Sequence, residues 1–293
     1  MRITDIAFEV NFSFAKNTTY GCGGCAKIAY FPKDINEAIL VYDYLVNENI
    51  NFVTLGNGSD VLASDGGFDG AVISTKNLKG INPVSENSFF CLAGTTVSEL
   101  LKYCVSNGCG GLEYLAGIPA SVGGLLYMNG GAFNKHIGDN TLSVKFYDGN
   151  LYDFSNKKCK FGHKYSTMRD KNGLILGAEL TFEPNDGEKV KKDIDDILAA
   201  RGSQPKGKSC GCVFKNYGEI SAGKIIDEAG LKGLSNAGAK VSEVHANFII
   251  NCGNKSADVY KLIKEVKRRV YEGLGVCLEE EVVYIGDFND TFS

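Results

Sequence analysis

The residues able to do chemistry sit in a few short, glycine-marked stretches. Ser209-Cys210-Gly211-Cys212-Val213-Phe214-Lys215-Asn216 sets a thiol between a glycine and a cation, so Cys212 could act as an acid or a nucleophile. A small buried hydrophobe is the ordinary state of such a cysteine, and nothing local decides between the two. Gly56-Asn57-Gly58-Ser59-Asp60 follows an apolar run. Its backbone N–H groups can converge on an anion because side chains are missing, and phosphate is the natural ligand. A plain turn fits the same residues. A longer block runs from Gly117-Ile118-Pro119-Ala120-Ser121-Val122-Gly123-Gly124 to Met128-Asn129-Gly130-Gly131-Ala132. It suits an extended cofactor lined by backbone amides, and equally a tightly packed corner. His245 in VSEVHANFII reads alone as a structural histidine, and Glu279, Glu280 and Glu281 as a solvated strand edge.

The elements that must hold these stretches follow from periodicity. Residues 36–49 carry apolar side chains at helical spacing, and NFVTL then reads as a strand entering the first glycine loop. GAVIST and FFCLAG predict further strands, and VSELLKYCVSNG a helix stopped by Gly108 in a left-handed cap. Between 141 and 183, LSVKFYD, GNLYDFS and LILGAELTFEP alternate around turn residues, as antiparallel strands do. NDGEKVKKDIDDILAARG reads as a charged amphipathic connector into a last unit with helices at AGKIIDEAG and SADVYKLIKEVKRRVYEGLG and strands at ANFIIN and EEVVYIG.

The chain has 293 residues, 44% of them hydrophobic and 23% charged, an ordinary globular balance spread over two or three domains. A net charge of −4 lacks the basic surplus of a nucleic-acid binder, so no nucleic-acid partner is expected. The N-terminus has polar and acidic residues where a signal peptide needs an apolar core, and no run is long enough to span a bilayer. A cytoplasmic protein without membrane insertion is expected, its ten thiols kept free by reducing conditions. Cys22/Cys25 and Cys210/Cys212 are the close cysteine pairs, and His136, His163 and His245 are scattered, so no metal site is expected.

Taken together and in order, the segments are more specific than any one of them. Asn17-Thr18-Thr19 with Gly23-Gly24, LGNGSDVLASDGGFDGAVI, GLEYLAGIPASVGGLLYMNGGAF, Gln204-Pro205 with CGCVFKN, AGKIIDEAGLKG, VSEVHANFIIN and LEEEVVYIG span nearly the whole chain. In this order they resemble the bacterial UDP-N-acetylenolpyruvoylglucosamine reductases, in that family's shorter form. The resemblance implies an α+β fold: two FAD-binding subdomains of the vanillyl-alcohol-oxidase-like type over 1–80 and 81–188, and a C-terminal α/β substrate-binding domain over 189–293. It implies non-covalent FAD, NADPH as hydride donor, and a nucleotide-sugar substrate reduced to UDP-N-acetylmuramate for peptidoglycan synthesis, by a monomer. Gly56, Asn57, Gly58, Ser59, Asp60, Gly117, Ile118, Pro119, Ser121, Gly123 and Gly124 would then cradle the FAD pyrophosphate, with Asn129 close to the flavin. Lys215, Asn216 and His245 would contact substrate, and Cys212, Lys164 and Glu281 would be catalytic.

The chain departs from the family at two of these positions. Cys212 stands where the serine proton donor of a Gly-Ser-x-Phe-Lys motif is expected, and a thiol also has a proton to give. His163-Lys164-Tyr165-Ser166 replaces Tyr-Arg-x-Ser, so Lys164 keeps the arginine's charge without its planar fork. Asp60 replaces an Asn and Ala120 a Gly. These substitutions motivate an alternative, a flavin-binding paralogue with altered or lost activity. The glycine loops alone would also suit a non-catalytic nucleotide-sugar binding module.

Overall fold

Capping and apolar spacing place the helices where the sequence analysis expects them. The helix Ile35–Asn47 starts on Asp34, whose carboxylate accepts the Glu37 N–H at 2.9 Å, and buries Val41 and Leu45. Thr96 and Glu99 form a reciprocal capping box at the start of Val97–Asn107, which ends on Gly108 at φ 62°. The computed structural model describes residues 2–289.

These residues fall into two compact units between which the chain passes repeatedly. Among the described residues the first comprises 2–9, 29–57 and 71–202, and the second 10–28, 58–70 and 203–289. In the first unit five antiparallel strands lie in the order Leu151–Ser155, Thr141–Tyr147, Leu174–Thr181, Ser88–Leu92, Ile81–Ser85. Their inward side chains, among them Phe89, Phe146, Leu176 and Leu180, are buried. Phe52–Leu55 pairs in parallel with residues 71–74, and so delivers the chain to Gly56. The helix Gly187–Arg201 groups with this unit rather than serving only as a connector. Its Leu198 and Arg201 lie over Gly117, where a Cβ would meet them at 3.1–3.4 Å.

The second unit is assembled from distant segments. Val61–Ala63 pairs in parallel with Val283–Ile285. The long helix Ser256–Leu274 has no cap of its own; Asp65 supplies one, its two carboxylate oxygens accepting the Ser256 and Ala257 N–H groups at 2.8 and 3.0 Å. Val259, Leu262, Ile263, Val266 and Val270 form the apolar stripe of that helix and pack with Val213, Phe214, Val241 and Ile249. No helix among the described residues is long and apolar enough to cross a membrane.

Candidate active site

In the first unit, strand Phe52–Leu55 ends at a cavity of about 270 Å³. That is slightly less than the roughly 300–1,000 Å³ of whole small-molecule sites, so it takes one piece of a large ligand. Gly56, Asn57 and Ser121 line it, together with Thr75, Gly94 and Thr96 and the lysines Lys76 and Lys79. The walls demand glycine. A Cβ on Gly56 would overlap the Ser121 hydroxyl, and one on Gly94 would overlap the Thr75 carbonyl. Asn57 is pinned by its amide, which donates to the Pro119 carbonyl at 2.6 Å. The N–H groups of Asn57, Gly58 and Ser59 donate to no acceptor among the described residues, which leaves them for an anion. Gly58 is at φ 65°, its carbonyl accepting the Thr19 N–H at 3.0 Å. The Asp60 carbonyl accepts from Val283 at 2.9 Å.

The second glycine block includes the tightly packed corner that its composition allows. Residues Val122–Met128 are a short helix. Its first N–H groups are taken by the protein: Val122 donates to Thr95, Gly123 to Ala93, and Gly124 to the Ser121 hydroxyl. A Cβ on Gly123 would lie 2.9 Å from that of Ala93, so this glycine serves close packing. Gly117 takes φ 78°, and Ile118 donates to Leu115 at 3.1 Å. Of this block Ser121 lines the cavity, and Gly117, Ile118, Pro119, Gly123 and Gly124 are not part of its lining.

Asn129 carries the link to the next candidate residue. It sits in the left-handed region at φ 46°; its amide donates to the Gly162 carbonyl at 2.8 Å and its oxygen accepts the Gly138 N–H at 3.0 Å. Gly162 and Tyr165 exchange backbone hydrogen bonds around a tight turn with Lys164 at φ 53°. Ser166 fastens the turn by donating to the Tyr127 carbonyl at 2.8 Å, and Arg169 donates to the Lys164 carbonyl at 2.5 Å while lying over the Tyr127 ring. The backbone that presents Lys164 is thus held from three sides.

In the second unit the Cys212–Lys215 segment lies between two neighbours. On one side Glu281 donates to the Val213 carbonyl at 2.8 Å and Lys215 to that of Glu279 at 2.9 Å. On the other, Cys212 bridges Phe248 and Val213 donates to Asn247 at 2.9 Å. The buried Asn247 side chain, 2% exposed, clamps Phe214 from both ends: its oxygen accepts the Phe214 N–H at 2.9 Å and its amide donates to the Phe214 carbonyl at 2.8 Å. Leaving either Phe214 group unpaired in that interior would cost about 1–3 kcal/mol, so the clamp fixes the segment. Cys212 is half-buried on it.

Of the acidic run Glu279 is exposed, as its composition suggests, but Glu280 is half-buried and Glu281 buried. Glu281 is only 6% exposed. Glu280 ties the run to the long helix, accepting from Lys264 at 2.9 Å, Lys267 at 2.8 Å and the Tyr284 hydroxyl at 2.7 Å. Burial alone would push the Glu280 carboxyl up, but these three donors hold it below the usual carboxylate range. Glu279 pairs with Lys215 at 3.2 Å.

His245 and Asn216 serve partly as framework. Burial lowers the His245 pKa, and the Asn247 N–H donates to its Nδ1 at 3.3 Å. The Asn216 side-chain oxygen accepts the Ala222 N–H at 3.2 Å, at the start of helix Ala222–Glu228. The two thiols of the Cys-Gly-Cys stretch have separate fates. Cys210 is buried and donates to the Tyr20 hydroxyl at 3.3 Å, and burial drives the pKa of both groups up. All ten cysteines are free thiols, and no cluster of His, Cys, Asp and Glu suited to a metal exists among the described residues.

Two family models match this chain: an FAD binding domain over residues 26–150 and the C-terminal domain of UDP-N-acetylenolpyruvoylglucosamine reductase over 204–285. A reductase of that name from Carboxydothermus hydrogenoformans is 37% identical, covering 98% of this chain and 96% of the relative. The chain belongs to the UDP-N-acetylenolpyruvoylglucosamine reductase family. The Clostridioides difficile member is 35% identical over 95% of this chain and 93% of its own. The crystal structure of the reductase from Thermus caldophilus superposes with a TM-score of 0.78 at 32% identity, covering 96% of this chain and 99% of that one. The fold is therefore the family's own, an FAD-binding part and a C-terminal reductase domain, and FAD is its cofactor. Every residue lining the cavity lies within the matched FAD binding domain, and Cys212, Lys215, Asn216, His245 and Glu281 within the matched reductase domain.

Sequence reasoning missed Asn247, Ser166 and the cavity residues Thr75, Lys76 and Gly94. Asn247 lies two residues from His245 at the head of the apolar run Phe248-Ile249-Ile250, where a buried amide is out of place unless it is paired, and that was its signal. Gly94 ends an apolar strand and had none.

Proposed function

We propose that this chain reduces UDP-N-acetylglucosamine enolpyruvate to UDP-N-acetylmuramate, using non-covalent FAD and NADPH, as a step of peptidoglycan precursor synthesis. What carries the reading is family membership over the whole length, with the family's acid position filled by Cys212, which keeps a transferable proton. The glycine-walled cavity and the unsatisfied N–H groups of the 57–59 loop fit the cofactor's diphosphate. The part matched as an FAD binding domain over 26–150 takes the cofactor, and the reductase domain matched over 204–285 takes the substrate. The protein acts as a cytoplasmic monomer.

FAD, held by the cavity residues Gly56, Asn57 and Ser121 and by the N–H groups of the 57–59 loop, would supply the hydride chemistry between NADPH and the substrate alkene. The protein's residues deal with the charge and the proton that follow. Lys164 and Glu281 attend the carboxylate of the enolate, and the Cys212 thiol gives its proton to the adjacent carbon. Lys215, Asn216 and His245 contact substrate, Asn216 at its phosphate.

The test is anaerobic. The purified protein is yellow and releases its flavin on denaturation; NADPH bleaches it, and the enolpyruvyl nucleotide sugar restores the colour. Bleaching without restoration would favour the paralogue of altered activity. A colourless protein that FAD cannot reconstitute would remove the flavin reading altogether.

Lys164 gives a second expectation. Lys164→Arg retains or raises turnover because the guanidinium restores a two-pronged donor for a carboxylate, whereas Lys164→Ala lowers kcat/KM by about 10–100-fold, the worth of a charge-assisted hydrogen bond. Steady-state kinetics on the three proteins decides it. Equal rates for Lys, Arg and Ala would remove Lys164 from the mechanism.

A further inference from the structure

The geometry points to Lys76 as the charge that neutralises the cofactor's diphosphate, a role that rests on the FAD reading and adds to it a side chain where backbone N–H groups alone would otherwise act. Lys76 lines the same cavity as Gly56, Asn57 and Ser121. It stands on the one-turn helix Thr75–Asn77, which leaves strand Phe68–Ser74. That turn is fixed from below: Leu78 donates to Thr75 at 2.8 Å, Gly94 donates to Leu78 at 2.9 Å, and the Gly94 Cα packs where no Cβ would fit. The lysine backbone therefore has one position relative to the cavity floor, and only its flexible stem adjusts.

The charges around the cavity favour an anion. No aspartate or glutamate lines it, while both of its charged residues, Lys76 and Lys79, are cations. Lys79 is already engaged, its ammonium 2.7 Å from Glu99, and Glu99 is in turn held in the Thr96 capping box. Lys76 is coupled electrostatically to Glu9, and its half-buried position lowers its pKa from the ordinary lysine value. An ammonium that has already lost part of its hydration gives up less on meeting a phosphate than a fully solvated one. A diphosphate with two negative charges, held also by the N–H groups of the 57–59 loop, is the ligand this arrangement fits.

The experiment measures FAD affinity of the flavin-free protein by quenching of flavin fluorescence, at low salt and at about 0.5 M salt, where the screening length has shrunk to a few ångströms. Wild type is expected to bind less tightly at high salt. Lys76→Met is expected to bind FAD about tenfold more weakly at low salt and to converge on wild type at high salt, while Lys76→Arg stays close to wild type throughout. Thermal unfolding of the flavin-free proteins checks that the fold is equal. The proposal is overturned if Lys76→Met loses nothing, if its deficit is the same at both salt concentrations, or if wild-type affinity does not respond to salt. Failure of wild type to bind FAD under any condition would instead sink the cofactor reading on which the proposal rests.

Discussion

Cys212→Ala leaves reduction of the flavin by NADPH at its wild-type rate and slows reoxidation by the enolpyruvyl substrate by about two to four orders of magnitude, the usual worth of a positioned acid. The two half-reactions separate because the proton is needed only after hydride has reached the substrate. A side effect on the fold is not expected. Cys212 is half-buried, and its segment is held by main-chain pairing with Glu281 and Phe248 and by the Asn247 clamp on Phe214, none of which uses the thiol. Cys212→Ser, which keeps an O–H in the same place, restores reoxidation. Stopped-flow absorbance of both half-reactions for wild type, Ala and Ser reads the result directly. An Ala variant that reoxidises at the wild-type rate would make the thiol a bystander.

The neighbouring thiol shows why position, and not residue type, decides this assignment. Cys210 is two residues away, buried, and turned to the Tyr20 hydroxyl, and burial drives its pKa well above the ordinary thiol value. It is a packed hydrophobe that is hydrogen-bonded inside the core, the common fate of a buried cysteine. Cys212 is on the segment whose backbone has been fixed in place by an otherwise costly buried amide. A buried Asn whose two ends both answer one residue's backbone is justified by the register it fixes, because any slip of that segment leaves two polar groups unpaired.

Much of the fold was legible because periodicity is local. The helices Ile35–Asn47, Val97–Asn107 and Ser256–Leu274 follow apolar spacing and stop signals, and the strands between 141 and 181 follow alternation. What was not legible is nonlocal. Asp65 caps a helix that begins at Ser256, and Val61–Ala63 finds its partner at Val283–Ile285, pairings that no window of sequence contains. The site divides in the same way. Gly56, Asn57 and Ser121 announced themselves through a loop motif, and the cavity confirms their place on its wall. Gly123 belongs to the same kind of motif, yet its reason is the approach of Ala93, which composition cannot distinguish from cofactor binding. Glu281 sits in a run of acids that reads as solvent-facing, yet it is buried where its backbone pairs with Val213, a segment nearly seventy residues away.

Gly94 carries the other large expected effect, although it stands in no motif. A Cβ at this position would overlap the Thr75 carbonyl and lie 2.7–2.8 Å from Thr75 C and Leu78 O, all of them backbone atoms that cannot turn aside as a side chain would. Gly94→Ala must therefore displace the Thr75–Asn77 turn, and with it Thr75, Lys76 and Asn77 on the cavity wall. Overpacking of this kind costs about 1–3 kcal/mol of stability. The loss in FAD affinity is expected to be larger, about 100-fold or more, since a phosphate site tolerates little misplacement of its donors. Gly273→Ala serves as the comparison: it lies in the helix Ser256–Leu274 with open space around its Cβ, so alanine there is neutral or stabilising by about 0.5–1 kcal/mol. Thermal unfolding and FAD titration of the two flavin-free variants measure both quantities. A Gly94→Ala protein that binds FAD as wild type does would mean that the Thr75–Asn77 turn is no part of the cofactor site, and that the diphosphate is held by the 57–59 loop alone.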